Sequence, residues 1–313
     1  MSNRPTLAEG LVVSVHGRHC VVESANGTRR ICHPRGKKST AVVGDRVQWL
    51  AGLPGQSDEG TIEKLLPRRN LFYRQDEIRT KSFAANLDQV LILIAAEPEF
   101  SEVQLSRALI AAEAERITPI IVLNKSDLTE PFNRAWGWLA AYRAMGYNIL
   151  PLSLKHDEAS VAALSAALAG KTTLVLGPSG SGKSTLINRL VPGALAATGE
   201  ISQALNSGKH TTTSTSWYWV DQDAGKAATA LIDSPGFQEF GLHHVDARHL
   251  ADFMPDFKRH IAQCKFYNCT HLHEPGCGVR AAIETGPDEE RISARRYKIY
   301  GDLFEELSQG PRY

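Results

Sequence analysis

The most specific chemistry in the chain lies in one run, where Gly177, Pro178, Ser179, Gly180, Ser181, Gly182, Lys183 and Ser184 match the phosphate-binding pattern Gly-x4-Gly-Lys-Ser in full. The glycines let backbone N–H groups close around phosphate oxygens with no Cβ in the way. A helix starting at this point adds the partial positive charge of its N-terminus. Lys183 is placed to neutralise the β and γ phosphates and the charge of phosphoryl transfer. The Ser184 hydroxyl is placed to ligate magnesium, with Thr185 next along the helix start. Asp233-Ser-Pro-Gly236 follows an apolar run from Ala230 to Ile232. A carboxylate at that strand end can hold magnesium through water, and the Gly236 N–H can meet a γ-phosphate. Alone, such a turn is more often a plain loop; after a phosphate loop and a strand it reads as a site.

The base is read elsewhere. In Asn124-Lys125-Ser126-Asp127 the Asp127 carboxylate can accept both the N1–H and the exocyclic N2–H of guanine, a donor pair that adenine lacks. Lys125 can lie along the base plane while Asn124 ties the loop to its neighbours. Ser153, at the end of Leu150-Pro-Leu-Ser153, is a small hydroxyl residue suited to supporting the base. A third constellation, Cys264-x4-Cys269-x-His271-x5-Cys277, offers three thiolates and one imidazole, a tetrahedral zinc set, with His273 a competing ligand on the same loop. A closed set of four ligands suits a structural rather than a catalytic ion. Cys20 and Cys32 read as small buried strand residues, and His16, His19, His243, His244 and His249 as ordinary surface or core residues.

The elements that position these groups follow from pattern. Short strands from Leu11 to Val15, His19 to Glu23, Thr28 to His33, Asp45 to Leu50 and Gly60 to Leu66, punctuated by Gly, Asn and Pro, fit a small barrel of the oligonucleotide-binding type. Basic clusters at Arg35, Lys37, Lys38 and at Arg68, Arg69, Arg74 are equally compatible with a solvated face and with an RNA-facing surface. After Arg74 strands and helices alternate: strand Val90 to Ala96, helix Ser101 to Arg116, strand Ile120 to Leu123, helix Phe132 to Met145, strand Asn148 to Leu150 and helix Ser160 to Ala169. Strand Thr173 to Leu176, helix Lys183 to Leu190 and strands Trp217 to Val220 and Thr229 to Ile232 complete the pattern. This is the signature of a mostly parallel α/β sheet. Helices are expected from Asp252 to Gln263 and from Asp288 to Leu307, flanking the Cys/His loop. Three domains are expected: a barrel over 1–72, a nucleotide domain over 73–249 and a helical zinc module over 250–313.

Lys plus Arg number 35 against 34 for Asp plus Glu, so net charge gives no global case for nucleic acid and any RNA contact must be local. No apolar run is long enough to span a bilayer and no signal-peptide pattern is seen, so the cytoplasm is the expected compartment; the chain is also expected to be a monomer.

In an ordinary GTPase the phosphate loop precedes the base loop; here the order is Asn124 to Asp127, Ser153, Gly177 to Ser184, then Asp233 to Gly236. That rotated order, with a barrel before it and a Cys/His cluster after it, resembles the ribosome-small-subunit-dependent GTPase A family of bacterial 30S assembly factors. The resemblance covers nearly the whole chain. It implies hydrolysis of GTP to GDP and phosphate, late maturation of the small ribosomal subunit with contact to its 16S rRNA, and stimulation of hydrolysis by the subunit. It also implies that Gly208-Lys-His210-Thr-Thr212-Thr is the first switch, with Thr212 reaching magnesium. Phe237 stands where many small GTPases carry a catalytic Gln, and His210 is the expected substitute. Two rivals stay open at this point: a nucleotide-gated RNA-binding protein with negligible turnover, and an ATP-using enzyme, the latter disfavoured by Asn124 and Asp127.

Overall fold

The structure is a computed structural model that describes residues 7–36, 41–52, 59–77, 79–194, 215–221, 227–234 and 240–309. Its first strands, β1 (Ala8–His16), β2 (His19–Ser24), β3 (Arg29–Pro34), β4 (Arg46–Leu50) and β5 (Gly60–Leu65), close into a barrel through the pairings β1–β2, β2–β3, β3–β5, β5–β4 and β4–β1. Alternation along each strand sends Val12, Cys20, Val22, Cys32, Val47, Trp49 and Ile62 inward as one apolar core. Cys20 and Cys32, paired across β2 and β3, are therefore buried core residues. Three of the basic residues that could have faced RNA are engaged internally. Arg68 grips the fully buried Asp45 with two nitrogens at 2.7 and 2.8 Å, Arg69 pairs with Asp88 at 2.7 Å, and Arg35 pairs with Glu63. Lys37 and Lys38 lie outside the described residues.

A hairpin, β6 (Leu71–Gln75) and β7 (Thr80–Ala85), leads into the sheet. The sheet elements follow in order: β8 (Gln89–Ala95), α1 (Glu102–Ala114), β9 (Thr118–Asn124), α2 (Thr129–Trp138), α3 (Ala140–Ala144), β10 (Asn148–Leu152) and α4 (Glu158–Leu168). Then come β11 (Thr172–Leu176), α5 (Lys183–Leu190), β12 (Ser216–Asp221) and β13 (Thr229–Asp233). The spatial order is β10-β9-β8-β11-β13-β12, parallel except for β12, which runs antiparallel to β13 and bridges to the barrel at Ser14 and Ser216. Strand β8 is buried along its whole length, as a strand covered on both faces must be. Ser101 caps α1 through the Gln104 N–H, as its position suggests. The helix expected from Phe132 to Met145 is two helices, α2 and α3, that meet at Leu139.

The C-terminal part opens with a 3-10 helix (Ala247–Phe253) capped by Asp246, followed by α6 (Pro255–Ile261), α7 (Gly278–Ala281) and α8 (Ala294–Ser308). The single helix expected from Asp252 to Gln263 is broken because Met254 precedes Pro255 and is driven to an extended conformation, φ −118° and ψ 103°. The last helix begins six residues later than expected, at Ala294, where the Ser293 hydroxyl accepts the Arg296 N–H at 3.2 Å. Arg296 then seals this part to α1. It is 2 % exposed, donates to both Asp256 carboxylate oxygens at 2.9 and 3.1 Å, and donates to the Ser106 hydroxyl at 2.7 Å. Ser106 in turn meets the buried Tyr142 hydroxyl at 2.9 Å.

Candidate nucleotide site and metal centre

Parallel strands deliver their following loops to one edge of the sheet, and every described residue expected in the nucleotide site sits at such a carboxyl end. Asn124 ends β9, Ser153 follows β10, Gly177 follows β11, and Asp233 ends β13. One cleft of about 740 Å³ is lined by Asn124, Lys125, Asp127, the phosphate loop from Gly177 to Gly180, and Gly182 to Thr185. Ser181 points inward and is buried. Reading by motif missed the remaining lining residues, Leu128, Leu154, Lys155 and His156. The last three directly follow Ser153, so that position was the available signal. His210, Thr212 and Gly236, together with Phe237, lie outside the described residues.

The base loop and the phosphate loop are tied by Asn124. Its side chain is buried, its Nδ2 donates to the Ser181 carbonyl at 2.9 Å, and its Oδ1 accepts the Leu154 N–H at 3.4 Å. The closeness of this contact makes Gly182 obligatory on two counts. It holds φ +101°, and a Cβ there would stand 2.5 Å from Asn124 Nδ2. Asp127 accepts the Ser153 hydroxyl at 2.7 Å, and that bond holds its carboxyl below the usual carboxylate range. The second carboxylate oxygen is left for other donors. Lys125 donates its ammonium to the Glu97 carbonyl.

On the phosphate side, Lys183 meets Asp233 at 2.5 Å and the Ser234 carbonyl at 2.7 Å. Asp233 is almost completely buried; burial pushes its carboxyl upward, and the Lys183 ammonium opposes the push. Ser234 is fixed in turn by donating to the Val175 carbonyl at 2.9 Å, so the strand carrying the phosphate loop and the strand carrying the carboxylate are locked side by side.

In the C-terminal part the Cys264, Cys269 and Cys277 sulfurs and one His271 nitrogen lie within 4.8 Å of one another. His273 stands outside the group, which resolves the competition between the two histidines. Cys264 Sγ lies 3.5 Å and Cys277 Sγ 3.4 Å from His271 Nδ1, and the two sulfurs are 3.9 Å apart. A tetrahedral ion with metal–sulfur bonds of about 2.3 Å and metal–nitrogen bonds of about 2.0 Å has edges of about 3.5–3.8 Å, so the spacing fits. Burial lowers the His271 pKa, which favours the neutral imidazole a ligand needs, and pushes the Cys269 thiol up to about 12, so a cation is what would make it a thiolate. Tyr297 and Tyr300 donate to the His271 and Thr270 carbonyls, each at 2.8 Å, and hold the ligand loop on α8. These residues can hold one metal ion.

The family model described as RsgA GTPase matches residues 65–243. The chain is 71 % identical over 304 residues to the small ribosomal subunit biogenesis GTPase RsgA of Variovorax paradoxus, an alignment spanning 97 % of this chain and 93 % of that one. It is 52 % identical to the protein of the same name in Burkholderia pseudomallei, over 96 % and 93 % of the two chains. Among solved structures it resembles YjeQ from Thermotoga maritima, with TM-score 0.72, 28 % identity and 97 % and 99 % coverage. It also resembles YloQ, described as a circularly permuted GTPase, with TM-score 0.69, 27 % identity and 98 % coverage of both chains. By sequence and by fold, this chain belongs to the RsgA GTPase family.

Proposed function

We propose that the chain hydrolyses GTP to GDP and phosphate in the biogenesis of the small ribosomal subunit, acting late, in contact with 16S rRNA, and as a monomer whose hydrolysis the subunit stimulates. The observation that carries the nucleotide reading is the single cleft in which the Asn124–Asp127 loop and the Gly177–Ser184 loop meet, joined by the Asn124 to Ser181 bond. Asp127, kept ionised by Ser153, accepts the two guanine donors, and Lys125 lines the base plane. The amides from Gly177 to Lys183 enclose the phosphates, and Thr185 stands beside them at the start of α5. Lys183, its ammonium held over Asp233 and the Ser234 carbonyl, meets the β and γ phosphates. Magnesium, with Ser184, Thr212 and through water Asp233 as its partners, would offset phosphate charge. Gly236 offers its N–H to the γ-phosphate, and His210 orients the attacking water.

The metal we assign to Cys264, Cys269, His271 and Cys277 is zinc, in a structural role. A cytoplasmic setting suits these thiols, and among the described residues no helix is long and apolar enough to cross a membrane. We divide the chain at 72 and 249 into barrel, nucleotide domain and zinc module. The test is cosedimentation of the protein with purified small subunits in a non-hydrolysable GTP analogue, in GDP and in an ATP analogue. Nucleotide-dependent binding with guanine alone is expected; binding indifferent to nucleotide would overturn the reading.

A further inference from the structure

Few large apolar side chains are exposed among the described residues, and two of them are neighbours: Phe266 at 40 % and Tyr267 at 103 % exposure. Both sit on the loop between Cys264 and Cys269. Tyr267 contributes nothing to the core, since a ring exposed to that degree buries no surface, and Phe266 keeps a large part of its ring in solvent. Yet the loop that carries them is firmly mounted: the Lys265 N–H donates to the Gly276 carbonyl at 2.9 Å, the Cys264 N–H to the Ile261 carbonyl at 3.1 Å, and the Cys269 N–H to the Phe266 carbonyl at 3.3 Å. An aromatic ring presented to solvent on a rigid support loses little freedom when something stacks on it.

The charge of the segment that carries the rings selects the partner. Lys258, Arg259, Lys265 and Arg280 are exposed and, among the described residues, none is in an ion pair, unlike the barrel arginines. Against these four cations stand two acids, one neutralised by a buried arginine and the other still charged but tied to the ligand loop. Asp256 is buried on Arg296, and Glu274 accepts the Thr270 hydroxyl and N–H at 2.7 and 2.9 Å. The Lys265 ammonium lies 5.6 Å from the Phe266 ring centroid, so a cation and a π-face are presented together. The residues that flank the pair in sequence, Lys265 and Asn268, are polar and exposed, which suits a polar, charged partner better than an apolar protein face.

We propose that Tyr267, with Phe266 beside it, is a stacking platform for an unpaired RNA base, and that Lys258, Arg259, Lys265 and Arg280 take the flanking phosphates. The proposal deepens the ribosomal reading above and rests on it for the identity of the RNA.

The test uses the full-length, metal-loaded protein, with GTP affinity and metal content measured on every variant to establish that the fold is intact. Binding to purified small subunits is titrated in a non-hydrolysable GTP analogue over a range of salt. Tyr267→Ala is expected to weaken binding by roughly 5- to 100-fold with an unchanged salt slope, and Tyr267→Phe to keep wild-type binding. Lys265→Ala is expected to reduce the salt slope by about one contact. A photocrosslinker placed at position 267 is expected to attach to an rRNA base. Wild-type affinity in Tyr267→Ala, or a crosslink to a ribosomal protein, would overturn the platform. If the wild-type protein does not bind subunits, the ribosomal reading fails separately. The platform is then judged on short single-stranded RNA, where loss of binding in Tyr267→Ala sustains it and absence of wild-type binding overturns it.

Discussion

Replacing Asn124 with alanine tests whether the base loop and the phosphate loop work as one unit. The truncation strands two backbone groups, the Ser181 carbonyl bonded at 2.9 Å and the Leu154 N–H bonded at 3.4 Å, around a side chain only 4 % exposed. The first bond is short and buried, and leaving its acceptor unsatisfied costs about 1–3 kcal/mol. The second is at the long limit and adds at most about 1 kcal/mol. Strand β9 keeps its ladder to both neighbours, so the cost falls on holding the two loops together. GTP and GDP affinity should both fall roughly 5- to 150-fold, at about 1.4 kcal/mol per tenfold. Discrimination between guanine and xanthine should not change, because in the proposed site Asn124 positions the loops and Asp127 is the residue assigned to read the base. Gly182→Ala supplies the complementary perturbation: its Cβ meets Asn124 Nδ2 at 2.5 Å, and its φ of +101° adds about 1–2 kcal/mol of backbone strain. With Asn124 already truncated the collision is gone, so the double variant should lose less than the sum of the two singles. Titration with a fluorescent guanine nucleotide reads all four proteins. Wild-type affinity in Asn124→Ala, or strict additivity in the double variant, would refute the tie.

Asp127→Asn should weaken GTP strongly and improve xanthine nucleotide binding, because a donor replaces an acceptor facing the base; unchanged GTP affinity would remove Asp127 from the site. The Ser153 hydrogen bond holds the Asp127 carboxyl below its ordinary value, so removing it should raise the pH at which the carboxylate is lost. As pH falls, GTP affinity should therefore drop at a higher pH in Ser153→Ala than in the wild type; coincident profiles would contradict it. Elemental analysis should find one zinc per chain, and Cys264→Ala with Cys269→Ala should lose it, with hydrogen exchange rising first in the C-terminal part; zinc retained at full affinity would contradict the assignment. Arg296→Met leaves Asp256 buried without a partner and should cost about 3–5 kcal/mol of stability, much of it recovered when Asp256→Leu is added. A loss under about 1 kcal/mol in denaturant unfolding would mean the pair is not sealed from water.

The placement of much of the candidate nucleotide site was legible because its residues obey local rules. Gly182 and Lys183 follow a strand and open a helix, and Asp127 and Ser153 follow strand ends, so sequence order alone placed them at one edge of the sheet. Lys155 and His156 were not legible, since a charged or imidazole side chain in a loop carries no signal until the cleft closes around it. The barrel arginines were ambiguous for the same reason. Arg68 finds Asp45 twenty-three positions away, and nothing in the spacing announces that pairing. The β6–β7 hairpin went unseen because its turn contains neither Gly nor Pro. The late start of α8 was marked by Ser293, a capping residue masked in the pattern by the charged run before it.

The central claim, a GTPase completed by the small ribosomal subunit, is tested most directly by single-turnover GTP hydrolysis with and without purified small subunits, in wild type and in His210→Ala. The expected result is slow hydrolysis by the protein alone and strong acceleration by the subunit, with completion of a phosphoryl-transfer site worth roughly 10³ to 10⁵ in rate. In His210→Ala, GTP binding and the slow rate should persist while most of the acceleration is lost. Equal rates with and without subunits in the wild type would contradict the claim.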